Sequence, residues 1–233
     1  MKSNNEQLRS RGYIEEHDLV LYQDASREAL TLMLESTVAT DRTIAARVLV
    51  KYRDIEVARL LVTRRVAETK LYTKIALSES LGEFGSMACP LLVNHLGAIG
   101  TNQYKALPES PFKKGNYPIP RDIIARTICK IGTPALSYLK EVLYTGQYEQ
   151  ILEAIDAIGF ISYYNADDAC LVDLLAMMSR YTEDSLMIWK AIRALQSFAD
   201  SEVIEILNAY VHSPIEQHRW EAVRSLRQKE KKL

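Results

Sequence analysis

The chain has 233 residues, 48% of them apolar, enough to bury a sizeable core as one domain, two domains or one elongated array. With 29 basic and 30 acidic residues the net charge is −1, which removes any global attraction to nucleic acid or to an anionic membrane. The N-terminal MKSNNEQLRSRGYIEEHD lacks an apolar h-region and does not read as a secretory signal. Cys89, Cys129 and Cys170 stand singly in apolar stretches without C-x-x-C spacing, as buried thiols of a reducing compartment do, so a cytoplasmic location is expected. The uncharged run from Phe84 to Tyr104 is long enough to raise the question of a membrane span. Pro90, Asn94, His95, Gly97 and Gly100 within it argue against insertion.

Taken in chain order, residues 1–18 are polar and are expected to be frayed or loosely docked. A helix is expected over 19–35, where Ala29, Leu30, Leu32, Met33 and Leu34 form an apolar stripe. A repeat then begins. One aliphatic residue recurs near the end of each first helix: Leu49, Leu81, Ile128, Ile158, Leu195 and Leu226. The residue before it is small or β-branched (Val48, Ser80, Thr127, Ala157, Ala194, Ser225). Four before it stand Ala45, Leu77, Ile124, Ala154, Ala191 and Ala222; three after it come Tyr52, Phe84, Ile131, Ile161 and Phe198. Small residues at fixed register let neighbouring helices approach, while the larger ones fill the layer between them. The anchors are 32, 47, 30, 37 and 31 residues apart, which fits a two-helix repeat with one long insertion.

In the clearest unit a helix over 74–81 is expected to meet a tight turn at Gly82–Gly85 and a second helix over 86–96. The other second helices are expected near 55–67, 134–145, 166–180 and 201–212, with a charged closing helix over 215–226. The predicted class is all-α: a right-handed α-α superhelix of about five to six helical pairs. Residues 19–233 would form a single solenoid, with 1–18 a polar segment and 97–120 an inserted loop.

The segments IALSESLGEFGSMACPLLVNHL (75–96), IIARTICKIGTPALSYL (123–139) and IWKAIRALQSFADSEVIEIL (188–207) share an Ala-rich helix, a Gly or Asp turn and a Leu/Val-rich helix. In this the chain resembles the HEAT-repeat family, including its phycobilisome-lyase-type form, over about residues 41–227. YRDIE (52–56), without a turn glycine, and the loose SYYNADD turn (162–168) depart from the pattern. The resemblance implies that the second helices line a concave, ligand-binding side.

Within those helices the apolar spacing leaves Arg59, Thr63, Asn94, Lys140, Tyr144, Asp173, Glu205, Asn208 and His212 pointing outward, the candidate partner-binding positions. Residues 97–120 carry four prolines and three glycines, which forbid a regular helix. Tyr104, Phe112 and Tyr117, beside Lys113 and Lys114, are candidate contacts there; the alternative is a spacer whose aromatics tuck against the neighbouring repeat. Charge is segregated: residues 105–140 sum to +5 and residues 141–210 to −9. The resulting expectation is a groove basic near Arg59 and acidic near Glu205, read by a protein partner of matching polarity.

Signs of catalysis are sparse. His17, His95, His212 and His218 are scattered and form no metal-ligand spacing, so neither metal nor cofactor is expected. Deoxyhypusine hydroxylase, a di-iron enzyme of the HEAT fold, carries repeated His-Glu dipeptides, and none is present here. No G-x-S-x-G, P-loop or G-x-G-x-x-G occurs. Asp167–Asp168 and Glu183–Asp184 sit at expected helix starts, where capping explains them better than acid–base work. The expected function is a non-enzymatic protein-interaction module or scaffold. The rival readings are a DNA glycosylase of HEAT-like build, for which Trp189 and Trp220 share a register but the charge is poor, and a bilin-lyase-like chaperone.

Overall fold

The computed structural model describes residues 4–113 and 115–231, and the described residues are helical with no strand among them. Two compact units divide the chain, Met1–Leu92 and Val93–Leu233. Each is a stack of helical pairs, an α-solenoid in class, and the repeat register explains how each is held. Leu49, Leu81, Ile128, Ile158 and Leu195 are buried, and so are all six residues four positions earlier. Phe84, Ile161 and Phe198, three positions later, fill the layer between the helices. Burial of one such aliphatic side chain is worth roughly 1.5–3 kcal/mol, which a lone helical pair cannot collect.

In the N-terminal unit, α1 (Asn5–Arg9) starts on the Asn4 side chain, and α2 (Glu16–Val20) follows after a turn. This stretch is docked rather than frayed. A methyl group placed on Gly12 would come within 2.2 Å of the Thr73 hydroxyl oxygen, and the Tyr13 and Tyr72 rings meet at 5.3 Å. The helix expected over 19–35 is shorter: α3 (Arg27–Leu34) begins only where the Ser26 hydroxyl accepts the Ala29 N–H. Next come α4 (Ala39–Val48), α5 (Ile55–Ala67) and α6 (Leu71–Glu83), with Asp54 capping α5. Helix α6 runs through Gly82, and the break falls at Gly85, whose φ of +56° suits glycine. The helix expected over 86–96 is broken up. Only α7 (Cys89–Leu92) is α-helical, flanked by 3-10 turns at Gly85–Ala88 and Val93–His95; Pro90, in the first turn of α7, has no N–H to bond back to Ser86, so the α-helix does not reach that far.

In the C-terminal unit, α8 (Ile123–Ile131), α10 (Tyr148–Asn165), α12 (Ser185–Leu195) and α14 (Glu216–Glu230) pack side by side as a layer of first helices. Helices α9 (Leu136–Thr145), α11 (Leu171–Arg180) and α13 (Ser201–Val211) form the second layer. Helix α10 extends into the stretch expected to be a loose turn, as far as Asn165; it stops at Ala166, which adopts left-handed φ 51°, and so α11 starts five residues later than expected. Asp184 caps α12, as its position suggested, whereas Asp168 reaches across to accept the Ala199 N–H of the next repeat.

Candidate functional site

The first helices share a further register. Two residues before each anchor stand Arg47, Glu79, Arg126, Asp156, Arg193 and Arg224, all of them charged. In the N-terminal unit Arg47 and Glu79 pair at 3.1 Å on the surface. In the C-terminal unit Asp156, Arg193 and Arg224 are buried. A second row three residues earlier, Glu153, Lys190 and Glu221, is buried beside them. The Lys190 ammonium donates to Glu153 Oε1 at 2.8 Å and to the Leu152 carbonyl at 3.0 Å, and it lies 3.1 Å from Asp156 Oδ2. Glu221 Oε1 accepts from Arg193 Nε at 3.4 Å and from Arg224 at 2.8 and 2.5 Å. Burial drives the Glu153 carboxyl up; Lys190 opposes that and Asp156 adds to it, leaving its pKa at about 7.

The inserted segment lies over this row, within the same unit. Tyr104 meets Trp189 edge-on at 4.9 Å, and Arg121 stacks over the Tyr104 ring at 3.9 Å. Phe112 faces the Arg224 guanidinium at 5.5 Å. Tyr117 is 1% exposed, packed against Tyr163 and Phe160, with its hydroxyl over Gly159. A methyl group on Gly159 would lie 1.9 Å from that hydroxyl oxygen, which is why a glycine sits in the middle of α10. At the segment's ends, Gln103 Nε2 donates to Asp122 Oδ2 at 2.9 Å, and the Tyr164 hydroxyl donates to the Tyr117 carbonyl at 3.1 Å. Asp122 Oδ1 also caps α8 by accepting the Ala125 N–H at 2.7 Å, so the segment and the helix start are tied to one carboxylate. Between segment and helices a cleft of about 470 Å³ remains, walled by aromatic side chains and by Arg121, Arg126, Asp156 and Arg193.

Of the candidate loop residues, Tyr104 and Phe112 are half-buried against the first helices and Lys113 is exposed. Tyr117 is covered by the chain itself, and Lys114 lies outside the described residues. On the second layer three candidates come together: Asp173 receives the Lys140 ammonium at 2.9 Å and the Tyr144 hydroxyl at 2.9 Å, with Arg180 over the Tyr144 ring. Glu205, Asn208 and His212 are exposed on and just after α13. Arg59 and Thr63 are exposed on α5 of the other unit, where Arg59 lies 3.8 Å from Glu56. Asn94 falls in a 3-10 turn rather than on a helix face. Missing from the sequence reading are Arg126, Glu153, Asp156, Lys190 and Arg193; charge at a fixed offset from every anchor was the signal that marks three of them.

Other groups take structural roles. Burial pushes the Cys89 thiol up to about 11 and Cys170 up to about 12, so neither is a thiolate at neutral pH. Trp189 is buried beneath Arg193 at 3.9 Å and Trp220 is half-buried. His218 is buried with Nε2 2.7 Å from the Ser185 carbonyl. Among the described residues no three of His, Cys, Asp and Glu come together as a metal would need, and no helix is long and apolar enough to cross a membrane.

No family model matches the chain, and no curated protein matches it either. Among solved structures it is similar to human deoxyhypusine hydroxylase in complex with glycerol, at 14% identity and a TM-score of 0.39, over 92% of this chain and 89% of that one. It is also similar to an engineered protein, at 17% identity and a TM-score of 0.38, over 97% and 90%. The first of these corrects the expectation that the chain is not an enzyme: an enzyme stands among the structures it resembles, so an all-helical repeat gives no ground for excluding catalysis.

Proposed function

We propose that the C-terminal unit binds a basic segment of a protein partner along its second-helix layer. The observation that carries this reading is a face both acidic and apolar that no described residue of the unit covers. Glu141, Glu202 and Glu205 are exposed on α9 and α13. On the helices of the same layer Tyr144, Val172 and Ile204 are 49%, 76% and 38% exposed. Lys140 and Arg180 lie at Tyr144, with Lys140 neutralised by Asp173. The acidic character comes from Glu141, Glu202 and Glu205, which with the exposed apolar side chains suit a lysine- or arginine-rich strand or helix carrying its own apolar anchors. Asp173, holding Lys140 and Tyr144 together, fixes α9 against α11 and presents the Tyr144 ring in one orientation, which lowers the entropic cost of docking.

The test is capture from the native cell with wild-type chain and with Glu202→Lys/Glu205→Lys. The reading predicts that a partner is held by the wild type, released as salt rises, and lost from the double variant. Capture of the same partner by both would count against the face.

A further inference from the structure

We propose that the cleft beneath the inserted segment binds a small molecule that joins an anionic group to a flat, amine-bearing ring, the chemistry of a mononucleotide such as adenylate. This site lies against the first helices and does not depend on the partner face of the second layer.

The walls select that chemistry. Arg126 donates its Nε–H to the Pro120 carbonyl at 2.6 Å, leaving its terminal amino groups without a partner among the described residues. Arg193 is 3% exposed; its Nε reaches Glu221, while its Nη2 has no partner among the described residues. Arg121 adds a third guanidinium at the mouth, held over Tyr104. A buried donor on a charged group is costly to leave unpaired, so the folded chain gains by receiving an acceptor there. Forked guanidinium donors match phosphate or carboxylate oxygens.

One group in the cleft calls for the opposite partner. Asp156, 3% exposed, gives Oδ2 to Lys190 and has no partner for Oδ1 among the described residues. That oxygen accepts an N–H and repels a second anion, so a bare phosphate or a simple aryl acid leaves it unsatisfied. An exocyclic amine on the ring supplies the missing donor. The flat ring finds its surface on Phe160 and Tyr164, whose centroids lie 4.6 Å apart and which both line the cleft. A volume of about 470 Å³ suits one nucleotide.

Trp189 stacks on Arg193, so its emission reports occupancy. The experiment titrates the full chain with adenosine 5′-monophosphate, inorganic phosphate, adenosine, purine riboside 5′-monophosphate and an oligoadenylate, following tryptophan fluorescence and heat. Expected is saturable binding of adenosine monophosphate, with phosphate, adenosine and the purine riboside nucleotide each about tenfold weaker or worse. The oligoadenylate should bind no better than the mononucleotide. Arg126→Gln and the exposed Arg121→Gln should each raise Kd about tenfold with helical content unchanged. The proposal is overturned by the absence of saturable binding to the mononucleotide, by equal affinity in both folded variants, or by tighter binding of the oligoadenylate.

Discussion

The same position of the repeat meets two fates in the two units. In the N-terminal unit the charges two residues before the anchor, Arg47 and Glu79, form an exposed pair at 3.1 Å. In the C-terminal unit the equivalent Asp156, Arg193 and Arg224 lie beneath an insertion that brings Tyr104, Phe112 and Tyr117 onto them. A charged register on a helical layer is therefore neutral ground. Left open, it makes salt bridges of little energetic weight; roofed over, it becomes a set of buried ions that must pair, hydrogen-bond or take a ligand. The N-terminal unit buries an ion pair too, but a fully satisfied one. Glu68 takes Arg42 through two bonds of 2.7 and 2.9 Å and accepts the N–H groups of Thr69 and Lys70.

The largest effect that would break this contrast is at Lys190. Replacement by Met leaves Glu153 and Asp156 facing each other without a cation, and roughly 3–5 kcal/mol of stability should be lost. Both tryptophans of the chain lie in the C-terminal unit, so urea unfolding followed by tryptophan emission reads this unit alone. Arg47→Gln, its counterpart in kind, should cost under about 1 kcal/mol when unfolding is followed by circular dichroism.

Acid titration should divide the units by sign. Burial raises Glu68, but Arg42 and the backbone donors pull it down to about 2. A lowered carboxyl stabilises above its unfolded value of 4.5, so this contribution should fade as pH drops from 4.5 towards 2, and Glu68→Gln should flatten that limb. Glu153 runs the other way. Its folded pKa of about 7 lies above 4.5, so the folded chain keeps the proton longer and stability should decline as pH rises from 4.5 to 7. Glu153→Gln should remove that decline in the tryptophan-monitored transition and leave the low-pH limb in place.

Gly159→Ala sharpens the comparison at smaller cost. The added methyl cannot coexist with the Tyr117 hydroxyl, and about 1–3 kcal/mol should go. Residues 97–120 should then be cut faster by protease, an effect read on a gel against wild type. An alanine at Gly82, within the helix of the other unit, should not speed cleavage there.

Much of the fold was legible because small and aliphatic residues recur at fixed offsets, and burial at Ala45, Leu77, Ile124, Ala154, Ala191 and Ala222 follows that pattern. Helix ends were harder to read, since they turn on single residues such as Pro90, Ser26 and Ala166. The site was only half legible. Tyr104, Phe112 and Tyr117 stand out as aromatics in an irregular segment, but nothing local says which helices they cover. Glu153, Asp156, Lys190 and Arg193 are charged residues within helices, which ordinarily face solvent. They became visible only once the segment was seen lying across them, because a side chain's burial by a distant loop leaves no mark on its own helical periodicity.

The most direct measurement of that covering is a nuclear Overhauser contact in solution between the Tyr117 ring and the Gly159 α-protons. A strong cross-peak is predicted, together with one between Tyr104 and Trp189. Sharp, solvent-averaged Tyr117 and Tyr104 signals without either contact would mean that the segment does not rest on the charged row, and the cleft with it would be gone.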